Sequence, residues 1–292
     1  MKICLNCHVD FYANSWECPA CKWSPLQLDG FVSFAPEFAH SNDGMQQDAH
    51  HTLEKLQENS FWFRKRNQLI QSMIVSYFPN ARNVLEIGCG SGYVLNGIRK
   101  VLPLADLVAT EIYTNGLSYA ASKVSPPCQF LQADARKLPF KNEFDLVGAF
   151  DVLEHIVDDD LVIENIKQSL QPGGGVILTV PQHPWLWSKT DELACHKRRY
   201  PRKKLANMLR MHGFDILNDT SFMFFLLPLM VMQRLIESRK CNYDANNELT
   251  LPGWVDNIFA MTLTLERTMI SLGLRFPIGG SRLVVARLGI PN

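Results

Sequence analysis

The sequence predicts an α/β protein: a mostly parallel sheet with helices on both faces, a small cysteine module ahead of it and an apolar helical insertion before the last strand. Three observations carry this. From residue 83 onward, short apolar runs ending in glycine or an acid alternate with segments of helical period, the rhythm of strand and crossover helix. Four of the eight cysteines crowd into the first 21 residues. A stretch rich in Phe, Leu and Met separates the last two predicted strands.

Composition sets outer limits. The 292 residues are 47% hydrophobic and 20% charged, which excludes a disordered or collagenous chain and allows one large domain with an appendage or two modest domains. Twenty-nine basic residues balance twenty-nine acidic ones, so no global field favours nucleic acid or an anionic membrane. The longest apolar run, 222–232, has eleven residues, too short for a hydrocarbon core that needs about 20. No apolar signal-peptide core follows the opening residues, so the expected location is the cytoplasm, with contact at the inner face of the membrane left open.

The elements follow in order. Residues 1–25 hold Cys4-x2-Cys7 and Cys18-x2-Cys21, a spacing that lets four thiolates close a tetrahedral zinc site. Four cysteines leave no open coordination position, so the site is expected to be structural, with the ion supplying the folding free energy of a segment too short for a core. Residues 26–60 read as a linker and a first helical segment. The methyl-bearing pattern from Phe61 to Val75 is an amphipathic helix opening a domain that runs to residue 292. Strands are expected at 84–88, 107–111, 129–132, 145–150 and 176–180, with helices starting near Gly92, Asn115 and Asp159. A helix at 201–212 and strands at 214–218 and 281–288 complete a seven-stranded sheet, and 219–280 is the insertion.

The chemistry gathers at the ends of these strands. The segment from Val84 through Glu86, Gly88 and Gly90 to Gly92 is a buried strand turning sharply into a helix, where glycine lets a cofactor approach the backbone. Glu111 ends the second strand, where a carboxylate can accept both ribose hydroxyls. Asp134, with Ala135 beside it, follows the third and could accept an adenine amine. Asp151, Glu154 and His155 follow the fourth.

With these blocks in this order, residues 82–181 resemble the class I S-adenosylmethionine-dependent methyltransferases, which implies a Rossmann-like fold and methyl transfer to an O or N acceptor. The resemblance implies that Glu86, Gly88, Gly90 and Gly92 bound the methionine part of the cofactor, that Glu111 holds the ribose and that Asp134 recognises adenine. It also puts the Asp151 block along the methyl-transfer site. A weaker resemblance, to a subset associated with membrane glycolipids, rests on Phe61-Trp-Phe-x-x-x-Asn67, on the segment from Trp185 through Asp191 to Tyr200, and on Phe276-Pro-Ile-Gly-Gly-Ser. Cys195 departs from it, standing where a small residue is more usual.

Asp151, His155 and His196 are the candidate catalytic residues, the imidazoles because they can take a proton near neutral pH. The alternative for Glu154 and His155 is a helix cap and a packed ring. The run from Lys197 to Lys204 is either a solvated face or an anionic subsite, with Arg198, Arg199 and Tyr200 on a substrate and Lys203 and Lys204 toward lipid headgroups. The insertion buries as core or dimer interface, or meets lipid or an acyl chain. The leading function is therefore methylation of a small-molecule, lipid-linked or glycan acceptor. Two alternatives stand beside it: an RNA methyltransferase gripping its substrate with the zinc module and basic run, against which the balanced charge argues, and a non-catalytic cofactor-binding adaptor.

Overall fold

The computed structural model describes residues 1–40, 60–237 and 252–289. The cysteine module pairs β1 (Lys2–Ile3) antiparallel with β2 (Asp10–Phe11). The central strands of the large sheet are β5 (Asn83–Ile87), β6 (Asp106–Glu111), β7 (Cys128–Gln132), β8 (Phe144–Phe150) and β9 (Leu170–Pro181). With β10 (Phe214–Phe222) and β11 (Ser281–Leu288) these are the seven expected strands, β9 and β10 being longer than read. The chain fills the sheet outward from β5 to β6 and β7, then returns to lay β8 and β9 on the other side. That reversal opens a crevice at the carboxyl ends of β5 and β8.

The sheet has nine strands, not seven. The stretch read as linker supplies β3 (Leu26–Leu28) and β4 (Phe31–Ser33), and β4 pairs parallel with β7 through Val32 opposite Leu131 and Ser33 opposite Gln132. The hairpin turn is Asp29-Gly30, at φ 50° and 86°, the left-handed pair that a two-residue turn requires. Without β4, β7 would present an open parallel edge, which proteins rarely leave uncovered. Gln132 knits the junction: its amide accepts from the Ser33 hydroxyl at 2.7 Å and the Ala35 N–H at 3.0 Å, and donates to the Ala35 and Ile112 carbonyls.

Helices cover both faces. On one, α1 (Phe61–Tyr77), α2 (Tyr93–Val101) and α3 (Thr114–Lys123) pack Ile70, Met73, Leu95, Ile98 and Leu117 against Val84 and Leu107. On the other, α4 (Asp159–Ser169) and α6 (Lys204–Met211) pack Val162, Ile166 and Leu209 against Leu85 and Ile87. Alternation along β5 thus sends Glu86 to the α1 side. A short helix, α5 (Lys189–Leu193), lies beyond β9.

The insertion adds α7 (Leu227–Glu237) and α8 (Gly253–Ser271). Its inner side is core: Met223, Leu226, Leu263 and Ile270 join the α1 cluster, and Phe224 stacks on Phe276 at 4.8 Å. Asp256 fixes α8 to the start of α1, accepting from the Phe61 N–H at 2.7 Å and pairing with Arg64. Its outer side keeps Trp254, Ile258, Met261 and Leu265 exposed, spaced as one stripe along α8. No helix among the described residues is long and apolar enough to cross a membrane.

Candidate active site

The turn after β5 divides its work among three glycines, all at positive φ. A Cβ on Gly88 would strike Val152 at 2.5 Å and one on Gly92 would strike Val124 at 2.9 Å, so these two allow close packing. A Cβ on Gly90 would meet nothing within 4 Å: this backbone faces open space in the crevice. Glu111 holds the turn, accepting the Gly90 N–H at 2.9 Å and the Ile112 N–H at 2.8 Å. Burial raises its pKa, and those N–H donors partly offset the rise.

Glu86 is 2% exposed, and its Oε2 has no hydrogen-bond partner among the described residues. Burial drives its pKa well above the usual carboxylate range, opposed by the Arg66 charge. Arg66 enters from α1, pairs with Asp151 and lies against the Trp62 ring, 4.6 Å from its centroid. Asp151 itself sits at φ 59°, a left-handed conformation uncommon outside glycine but better tolerated by aspartate than by most residues. Thr179 holds it there, taking the Asp151 N–H on its carbonyl at 3.0 Å and donating its hydroxyl to Oδ1 at 3.1 Å.

Beyond β8, Glu154 and His155 occupy a 3-10 turn, and His196 arrives from the far side of α5. The two imidazoles meet edge to face at 4.7 Å, and His196 Nε2 lies 4.0 Å from Glu154 Oε1. Burial, reinforced by Asp151, raises the Glu154 pKa well above its ordinary value. His155 is exposed by area yet crowded by protein, and that desolvation, with His196 nearby, lowers its pKa to about 4. Asp191 organises the segment. It accepts from His196 Nδ1 and Arg199 Nε, each at 2.8 Å, and from the Ser188 N–H and hydroxyl. Burial works the other way, but these donors hold the Asp191 carboxyl far below its usual range.

The remaining candidates have protein partners. Arg198 pairs with Asp159 at 2.9 Å, the fully buried Tyr200 donates its hydroxyl to Asp159 at 2.7 Å, and Arg199 is tied to Asp191. Lys204 reaches Asp159 at 3.4 Å. Asp134, at the end of β7, grips Arg136 with both carboxylate oxygens, and Ala135 beside it is buried.

Residues 85–178 match the methyltransferase domain family, a span holding the glycine turn, Glu111, Asp134, Asp151 and the Glu154-His155 pair. A probable S-adenosylmethionine-dependent methyltransferase of Mycolicibacterium smegmatis is 27% identical over 182 residues, 59% of this chain and 66%, just under two thirds, of that relative. Residues 85–178 thus match a class I S-adenosylmethionine-dependent methyltransferase domain. Two solved structures share the methyltransferase fold at 18% identity. One is a chain from the complex between the Haloferax volcanii Trm112 methyltransferase activator and a methyltransferase, at TM-score 0.57, covering 84% of this chain and 96% of that one. The other is Haemonchus contortus phosphoethanolamine N-methyltransferase 2 in complex with S-adenosyl-L-methionine, at TM-score 0.56, covering 84% and 57%.

The crevice fits S-adenosylmethionine on two counts: Gly90 leaves room against the backbone, and Glu86 offers a buried oxygen that no described residue satisfies. The cysteine module fits a metal equally well. Its Cys4–Cys21 and Cys7–Cys18 sulfur pairs are each 3.6 Å apart, near the roughly 3.8 Å edge of a tetrahedron with about 2.3 Å zinc–sulfur bonds. Its two halves repeat one turn: the Cys4 N–H donates to Val9 and His8 back to Cys4, just as Cys18 donates to Trp23 and Lys22 back to Cys18. His8 and Lys22 share a φ near 60°.

Sequence reasoning missed Arg66 and Asp191 as site residues. Both stood inside quoted motifs. Asn67 shows why the first motif exists, since its amide donates to the Tyr93 carbonyl at 2.9 Å and seats α1 on α2, which aims the neighbouring Arg66 into the crevice. Cys195, at φ 57°, occupies a left-handed position of the kind that favours glycine.

Proposed function

We propose that this methyltransferase transfers the methyl group of S-adenosylmethionine to a small-molecule acceptor that carries an apolar chain. The observation behind cofactor binding is the pairing of open Gly90 with the orphaned Glu86 oxygen. In this reading Glu86, Gly88, Gly90 and Gly92 surround the methionine part, Glu111 takes the ribose, and Asp134 and Ala135 flank the adenine. The cofactor supplies an activated methyl on a sulfonium sulfur. The chain's residues orient the acceptor in line with it and exclude water, which accounts for most of the acceleration in such transfers. Asp151 stands at the reacting end with Arg66, and His155 and His196 are within the same wall. The cysteine cluster holds a structural zinc.

The apolar chain is inferred from the exposed apolar stripe of α8, Trp254, Ile258, Met261 and Leu265; the cleft between α1 and α8 beside Arg66 also bears Lys65, Glu266 and Arg267, and its free volume of about 10 Å³ is too small to take such a chain. The exposed stripe on α8 favours delivery of such an acceptor from a lipid surface. Arg239 and Lys240, cations that such delivery would set alongside headgroup phosphates, lie outside the described residues. RNA is disfavoured because Arg198, Arg199 and Lys204 are spent on Asp159 and Asp191. The test is incubation of lipid, glycan and RNA extracts with the enzyme and methyl-labelled cofactor. Label in the lipid fraction supports the proposal; label in glycan alone removes the apolar chain, and label in RNA alone removes the small-molecule reading.

A further inference from the structure

Glu154, His155 and His196 bring a carboxylate oxygen and two imidazole nitrogens within 4.8 Å of one another. Glu154 is 0% exposed, and among the described residues neither of its carboxylate oxygens has a hydrogen-bond partner. A buried carboxylate left without donors is a liability to the fold, so its retention at this position calls for a ligand.

The ring of His196 is set for that ligand. Its Nδ1 lies 2.8 Å from Asp191 Oδ1, which assigns the proton to Nδ1 and leaves the Nε2 lone pair on the Glu154 side. A carboxylate behind an imidazole is how metal-binding histidines are oriented. Asp191 is in turn fixed by Ser188 and Arg199, so the ring cannot easily swing away. His155 follows Glu154 directly and is exposed, which gives an ion a path in and out.

We propose that Glu154, His155 and His196 bind one divalent first-row transition cation at the wall of the crevice, with coordination positions open to an oxygen of the acceptor. One carboxylate and two imidazoles suit such ions and do not fill a coordination sphere. The cysteine cluster, by contrast, is closed by four sulfurs. Binding of the cation stands by itself; only its role toward the acceptor rests on the methyltransferase reading.

The experiment titrates the zinc-loaded full chain with Co2+, followed by visible absorption and calorimetry, with S-adenosylhomocysteine binding measured on the same samples. The expected result is one Co2+ per chain with ligand-field bands and no thiolate charge-transfer bands. Glu154→Gln and His155→Ala should each weaken cobalt at least tenfold while S-adenosylhomocysteine still binds. Either variant suffices if the other fails to fold, because His155 is exposed and the glutamine is isosteric. Absence of the bands, thiolate bands alone, or unchanged affinity in the folded variants overturns the site. Cobalt binding without S-adenosylhomocysteine binding upholds the site and defeats the cofactor reading instead.

Discussion

The four-cysteine cluster and the Glu154–His155–His196 cluster are assembled in opposite ways. The first is local, made by two copies of one turn within 18 residues, and its surroundings offer little besides Phe11 and Trp23 as core. The second joins residues 42 apart through β8, β9 and the Asp191 knot, inside a domain whose sheet has packed cores on both faces. With so little core, the first is expected to fold on its ion. The second is made by the fold and would keep its shape empty.

The strongest test removes the ion's hold on the module. Cys18→Ser should release the metal, and with it the folding free energy that structural zinc supplies, about 10–16 kcal/mol in isolated zinc-finger peptides. Hydrogen exchange should then show lost protection at Ile3 and Phe11 while β5 keeps its own. Collapse of β5 as well would mean that the sheet depends on the module, through Trp16 against Phe140 and β4 on β7, and would break the comparison.

The second test strikes the support of the fold-made cluster. Asp191→Ala leaves the largely buried Arg199 unpaired, which should cost about 3–5 kcal/mol in chemical denaturation. The sign with pH follows from the depressed native pKa. The stabilisation is complete above the ordinary aspartate value of 3.8 and fades as the pH falls below it, because the unfolded chain takes up the proton first. A variant as stable as the parent at neutral pH would show that the knot is ornamental.

How much of this was legible follows the same division. The cysteine spacing, the glycine turn, Glu111 and the seven strands are local patterns, and all were readable. Asp29-Gly30 between Leu-Gln-Leu and Phe-Val-Ser is also a local hairpin signal, and reading 26–60 as linker overlooks the two strands it joins. Glu154 beside His196 was not readable at all, since no period or spacing joins them. The fates of Arg198, Arg199 and Tyr200 likewise depend on Asp159 and Asp191, which only the fold brings near.

Glu266 offers a contrast in buried acids. It is 1% exposed like Glu154, but the backbone N–H groups of Phe224 and Phe225 serve it at 2.9 and 3.3 Å. Burial outweighs those donors and pushes its pKa up to about 7 from 4.5. Between these values the unfolded chain has ionised while the folded one keeps its proton, so stability falls as pH rises through that window, by roughly 3 kcal/mol. Glu266→Gln should flatten that part of the stability profile between pH 5 and 8. An unchanged slope would assign the dependence to other groups.

Glu111 is the smallest effect and the sharpest comparison, because both of its oxygens are already used by Gly90 and Ile112. Each carboxylate oxygen retains a further lone pair, so the backbone bonds orient the group toward a ribose without exhausting it. Removing it in Glu111→Ala should weaken S-adenosylhomocysteine by about 2 kcal/mol, the scale of hydrogen bonds to a charged acceptor, seen as a roughly thirtyfold rise in Kd by calorimetry. Glu111→Gln separates the two duties: it keeps an acceptor for the turn but loses the charge, and should recover part of the affinity. If the alanine variant binds as tightly as the parent, Glu111 serves only the glycine turn, and the ribose must be held elsewhere. If glutamine restores nothing, the carboxylate charge is what the ligand reads.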